Sequence, residues 1–104
     1  MKYVASAVIQ MPTYELEDPF RQDLKRLTPE QYRLFKKAVR KMVEDIKAKR
    51  PFRAGLRVER FESIKGAYEM SWAPDGRALF TYGTSPHPGD THIIWLRVGT
   101  HDIY

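Results

Sequence analysis

The chain has no cysteine, which removes disulfides, thiolate zinc sites and a cysteine nucleophile together. It has three histidines, none at a metal-ligand spacing such as His-Glu-x-x-His, so no metal site is expected. Neither a Gly-x-x-x-x-Gly-Lys-Ser/Thr loop nor a Gly-x-Gly-x-x-Gly turn occurs, so no cofactor is expected. No apolar run approaches the roughly 18 residues that a membrane span needs. The opening Met1-Lys2-Tyr3-Val4-Ala5-Ser6-Ala7-Val8-Ile9 is too short and too weakly charged for a signal peptide. Repeats and low-complexity tracts are absent too. The expectation is a soluble, cytoplasmic protein without a membrane role.

What is present is 104 residues, 42% of them apolar, with two tryptophans, six tyrosines and five phenylalanines. That is enough for one modest core, hence a single domain over 1–104, with 1–14 an N-terminal strand or an arm. The formal net charge is +5, but its placement says more. Between Arg21 and Lys65 stand fifteen Lys/Arg against six Asp/Glu. Such asymmetry fits a polyanionic partner, either nucleic acid or an acidic protein segment, although a solvated helix face looks the same.

Thr28-Pro29-Glu30-Gln31 reads as a helix start: a threonine cap, proline at the first helical position, glutamine three after the cap. Tyr32, Phe35, Ala38, Val39, Met42, Val43 and Ile46 follow at helical spacing. Arg33, Lys36, Lys37, Arg40, Lys41 and Lys47 take the other side. The helix is predicted to end near Lys49, before Pro51, and a helical turn over Pro19–Lys25 to precede it. Tyr3–Val8 is expected to form a first strand.

After Pro51 the period becomes alternating. Strands are expected over Gly55–Glu62, Gly66–Ala73, Arg77–Tyr82 and His92–Val98, with Ala73-Pro74-Asp75-Gly76 as a hairpin turn. Thr84–Asp90 is a Pro- and Gly-rich loop holding His87, and His92 lies at a strand edge. The fold class is therefore α+β: one long helix, preceded by a short helical turn, on one face of a small, mostly antiparallel sheet. Alternation assigns Tyr68, Met70, Trp72, Ala78, Phe80, Tyr82, Ile94, Leu96 and Val98 to the core face. Glu69, Ser71, Arg77, Leu79, Thr81, Trp95 and Arg97 fall on the opposite face. His101 and Tyr104 reach its edge.

Glutamate, arginine and histidine on one sheet face suit RNA cleavage without a metal. The 2′-hydroxyl needs a base, the phosphate fixed cations and the 5′-oxygen an acid. Arginine presents a planar fork to phosphate, and histidine exchanges protons near neutrality. Trp95 and Arg97 could stack on and hold single-stranded RNA, or Trp95 could close a small apolar cluster instead. Glu69 could equally pair with Arg77 across the hairpin.

Thr28-Pro29-Glu30-Gln31, the run Gly66–Ala78, Phe80-Thr81-Tyr82-Gly83 and Gly99-Thr100-His101-Asp102-Ile103-Tyr104 together resemble the RelE/ParE superfamily of bacterial type II toxins. The likeness covers about residues 15–104 and is greatest to the RelE/YafQ-like mRNA interferases. It implies a compact fold similar to microbial ribonucleases, mRNA cleavage on the ribosome, and a cognate antitoxin as partner. On that likeness Arg77 stabilises the transition state, His101 is the general acid, and Tyr104 stacks on a base or assists proton transfer. RelE itself carries lysines where this chain has Glu69 and Ser71; Glu69, Arg77 and His101 instead resemble the acid/arginine/histidine set of microbial ribonucleases, a resemblance that implies Glu69 as the base. Arg57, Arg60 and Lys65 are expected to bind RNA. The basic helix would meet ribosomal RNA or the antitoxin. The superfamily also includes ParE-like inhibitors of DNA gyrase, and an inactive basic RNA-binding regulator is a third reading, since a fold does not fix a function.

Overall fold

The computed structural model describes residues 12–104. Along the chain come β1 (Thr13–Leu16), α1 (Asp18–Arg26) and α2 (Pro29–Lys47), then a 3₁₀ turn (Ala54–Leu56). β2 (Glu59–Arg60), β3 (Ala67–Ala73), β4 (Gly76–Tyr82) and β5 (His92–Thr100) follow, and a last 3₁₀ turn spans His101–Ile103. The expected strand at Tyr3–Val8 lies outside the described residues.

α2 begins as its sequence dictates. The Thr28 hydroxyl accepts from the Gln31 N–H at 3.1 Å, and the Gln31 side chain accepts from the Thr28 N–H at 2.8 Å. Such a cap contributes about 0.5–2 kcal/mol. The helix buries Phe35, Ala38, Met42 and Asp45. It ends two residues earlier than expected, because Lys49 turns into the left-handed region at φ 54°.

The sheet order is β1-β5-β4-β3-β2. All neighbours are antiparallel except β1 and β5, which run parallel. Both helices lie on one face and close a core that includes Phe20, Phe35, Met42, Met70, Trp72, Phe80, Ile93, Trp95 and Val98.

Three expectations are corrected. Gly55–Glu62 is not one strand, because the Ala54–Leu56 turn buries Leu56 and Arg57 follows at φ 47°. Only Glu59 and Arg60 remain to pair, opposite Glu69 and Tyr68. Second, β5 carries a bulge: Leu79 faces Arg97, but Phe80 faces Trp95, so Leu96 is an extra residue. One inserted residue reverses the alternation. Ile93 and Trp95 therefore enter the core in place of Ile94 and Leu96.

The third correction follows from the bulge. Trp95, expected on the RNA-facing side, is 5% exposed. Its ring centroid lies 5.7, 5.4 and 5.6 Å from those of Phe20, Phe35 and Phe80. It is the centre of the aromatic core and cannot stack on RNA.

α1 is fastened to β5 by a group that sequence patterning did not reveal. β1 stops pairing at Leu16, opposite Trp95. Beyond it the β5 edge meets Asp23 of α1, whose carboxylate accepts from the Val98 N–H at 3.0 Å. The same carboxylate takes Arg97 Nε at 2.6 Å and Nη2 at 3.1 Å.

Candidate active site

The face of the sheet away from the helices carries Glu69 on β3 and Arg77 on β4. Register brings the chain's last segment to them: Arg77 lies opposite Gly99, and Gly76 opposite Thr100. The last turn then folds back over β5. A Cβ on Gly99 would stand 2.4 Å from Ile103 Cγ2, so glycine is what permits that close approach.

This fold-back delivers Tyr104 to Glu69. The tyrosine hydroxyl donates to Glu69 Oε2, and its ring stacks on Phe61 with centroids 5.0 Å apart. The surrounding protein pushes the Tyr104 pKa well above the usual tyrosine value, through burial first and the Glu69 hydrogen bond second. The phenol is therefore neutral at physiological pH, and it serves as a donor rather than a base.

Arg77 lies on the other side of the same carboxylate, with Nε 3.9 Å from Glu69 Oε1. Its Nη1 donates to the carbonyls of Ala73 (3.2 Å), Pro74 (3.2 Å) and Gly76 (2.9 Å), clasping the hairpin turn. Among the described residues its Nη2 has no hydrogen bond. The turn is rigid for a second reason: Trp72 Nε1 donates to the Arg77 carbonyl at 2.9 Å. The Trp72 ring also packs over Gly76, where an added Cβ would stand 2.4 Å from ring atoms. Arg77 thus presents one fixed, unspent edge of its guanidinium.

His101 opens the last turn, directly after the residue opposite Gly76. Its side chain is exposed and has no hydrogen bond or ion pair among the described residues. Glu69 touches both Arg77 and Tyr104; His101 is anchored at the same end of the sheet.

The residues expected to bind RNA are dispersed. Arg57 is exposed at the end of the Ala54–Leu56 turn. Lys65 is exposed in the loop before β3. Arg60 lies opposite Tyr68, which puts it on the helix side of the sheet, while Glu59 shares the side of Glu69. Arg97 is held by Asp23 and donates from Nη1 to the Ile103 carbonyl at 3.3 Å, so it ties the last turn to α1. On α2, Arg33 pairs with Glu30 at 2.6 Å, and Lys36 lies over the Tyr32 ring at 4.5 Å.

Asp45 was missed as well. It is 0% exposed and takes Arg53 through its N–H (2.9 Å), Nε (3.1 Å) and Nη2 (3.0 Å), and Arg50 through Nε (2.6 Å). These partners hold its carboxyl far below the usual carboxylate range, the Arg53 hydrogen bonds contributing most. A signal existed: Asp45 continues the buried row Phe35, Ala38, Met42 at helical spacing, where a carboxylate needs a partner.

Comparison with known proteins finds no matching family model and no matching curated protein. Solved structures do match. YafQ from E. coli superposes with a TM-score of 0.63 at 17% identity, over 88% of this chain and 94% of that one. The fold is that of YafQ. In the E. coli DinJ–YafQ toxin–antitoxin complex the values are 0.61 and 15%, over 90% and 94%. A conserved hypothetical protein from Helicobacter pylori gives 0.52 and 16%, over 88% and 96%. The resemblance drawn from the sequence and the YafQ fold thus agree. No helix among the described residues is long and apolar enough to cross a membrane.

Proposed function

We propose that this chain is the toxin of a toxin–antitoxin pair and acts as a ribosome-dependent mRNA endonuclease. One observation carries the reading: Tyr104, Glu69 and Arg77 form a single contact cluster on the exposed sheet face, beside the turn that starts with His101.

In the reaction, Glu69 removes the proton from the 2′-hydroxyl. The 2′-oxygen attacks the adjacent phosphorus, forming a P–O2′ bond as the P–O5′ bond breaks. His101 gives its proton to the departing 5′-oxygen. The products are a 2′,3′-cyclic phosphate and a 5′-hydroxyl. Arg77 meets the charge that develops on the phosphoryl oxygens with its free Nη2, already fixed by the turn carbonyls, which is the preorganisation such stabilisation requires. Tyr104 occupies Glu69 in the free protein. An entering 2′-hydroxyl takes that place, and the tyrosine ring is then free to stack on a base.

The DinJ–YafQ complex supports an antitoxin as the natural partner, here one that presents acidic side chains to the exposed cations of α2. The proposed site of action is the cytoplasm, where ribosomes and mRNA are.

Induction of the gene in cells, with transcript 5′ ends mapped for the wild type and His101→Ala, tests the reading. New 5′ ends within coding sequences are expected from the wild type. They should fall by about 10²–10⁴-fold in His101→Ala, the usual contribution of a positioned acid. Undiminished cleavage by His101→Ala would remove the histidine from the mechanism. DNA breaks with intact transcripts would instead identify a gyrase inhibitor.

A further inference from the structure

We infer that the cleft between α2 and the end of the β3–β4 hairpin holds a phosphate of the RNA backbone outside the scissile bond. The inference rests on the proposed nuclease reading and adds to it a substrate-gripping site that adjoins the chemistry at Arg77.

The cleft measures about 580 Å³ and is lined by Lys37 and Lys41 of α2, Arg53 and Arg57 of the following segment, and Ser71 and Arg77 of the hairpin. Ligand pockets are commonly about 300–1,000 Å³, so the size fits. Five cations line it and no carboxylate does. Arg53 is spent on Asp45 and Glu44. Lys37, Lys41 and Arg57 have no ion pair among the described residues, and Arg77 keeps Nη2 free. Like charges gathered in a concave surface reinforce one another's potential, so an anion is what the cleft lacks.

Two further observations favour RNA. Arg57 sits at φ 47°, a left-handed conformation that arginine adopts only at a cost and that recurs at binding sites. In addition, Arg77 belongs to both places: it lines the cleft, and its Nε lies 3.9 Å from Glu69. β2 begins at Glu59, opposite Glu69, and the Ala54–Leu56 turn before it packs against β3, so Arg57 joins Ser71 and Arg77 in lining the cleft. A strand whose scissile phosphate lies against Arg77 therefore borders the cleft that Arg77 also lines. Arginine and lysine together provide the fork and the point charge that grip a phosphodiester.

The test measures binding of a labelled single-stranded RNA decamer to the full chain carrying His101→Ala, across a salt series. Lys37→Ala/Lys41→Ala and, separately, Arg57→Gly are compared with Lys25→Ala/Lys47→Ala, a charge-matched pair of exposed lysines not lining the cleft. Glycine at position 57 removes the charge while accepting the backbone conformation. Each cleft variant is expected to weaken binding several-fold and to flatten the salt slope by about 0.7 per cation removed. The control pair should bind like its parent. Equal losses in the cleft and control variants would overturn the inference. So would RNA affinity unchanged by the cleft variants while poly-glutamate affinity falls, an outcome that gives the cleft to an acidic protein. RNA binding that depends on the cleft, in a chain whose wild type cuts no RNA, would uphold the phosphate site and end the nuclease reading.

Discussion

Two sets of arginines in this molecule are treated differently by their surroundings. Arg53 and Arg97 each meet an aspartate that is at most 4% exposed, Asp45 and Asp23 respectively. Among the described residues Arg57 and Arg77 meet no such buried carboxylate; there Arg57 has no ion pair, and Arg77 lies 3.9 Å from a partly exposed Glu69. The first set closes the fold: Arg97 joins α1, β5 and the last turn, and Arg53 pins the segment after α2. The second set faces a concave surface and retains unspent donors. A buried carboxylate matched to a guanidinium is structure, whereas an uncompensated cation in a cleft is available to a ligand.

The difference can be broken by substitution. The largest expected effect is on Glu69→Gln, which keeps the shape and an acceptor for Tyr104 but cannot take a proton. Cleavage should fall by about 10²–10⁴-fold with the thermal midpoint unchanged. A variant that unfolds instead would return Glu69 to the structural set. Next comes Trp95→Ala, where chemical denaturation should show a loss of about 3–5 kcal/mol, the cost of emptying an aromatic core position. RNA affinity lost without stability would contradict its place in the core.

Asp23→Ala should cost on the order of 2–3 kcal/mol. That is less than for a fully buried pair, because Arg97 is 35% exposed and water recovers part of its charge. Specific activity per folded molecule should be retained, which is the mark of a structural charge. The last concerns acid. Asp45 has its pKa lowered from 3.8 in the folded chain, so its stabilising contribution is fully present above that unfolded value. It is lost as pH falls through the lower folded value. Urea midpoints below about pH 4 should therefore drop more steeply in the wild type than in Asp45→Asn, which is weaker at neutrality but flatter in acid.

The fold was largely legible where local chemistry is unambiguous. The Thr28–Gln31 capping box, the Phe35–Met42 stripe and the Pro74-Asp75-Gly76 turn specify α2 and the hairpin without tertiary information. The parallel β1–β5 pair was not legible, because Thr13–Leu16 is only four residues long, buries none of them fully, and pairs with a strand at the far end of the chain. The bulge at Leu96 was invisible for a similar reason. It is a relation between two strands, and it moved Trp95 from the expected RNA face into the core. The pairings of Asp23 and Asp45 were not read from the sequence, because their partners lie far along the chain or past a turn. In the candidate site, the residue types came from the sequence, and the contact of Tyr104 with Glu69 came from the fold-back that Gly99 permits.

End-group analysis of RNA cut by the purified chain on ribosomes bears most directly on the site itself. Attack by the 2′-hydroxyl, with Glu69 as base and His101 as acid, should leave 2′,3′-cyclic phosphate and 5′-hydroxyl ends. Fragments with 5′-phosphate ends, or intact mRNA after incubation with active ribosomes, would contradict it.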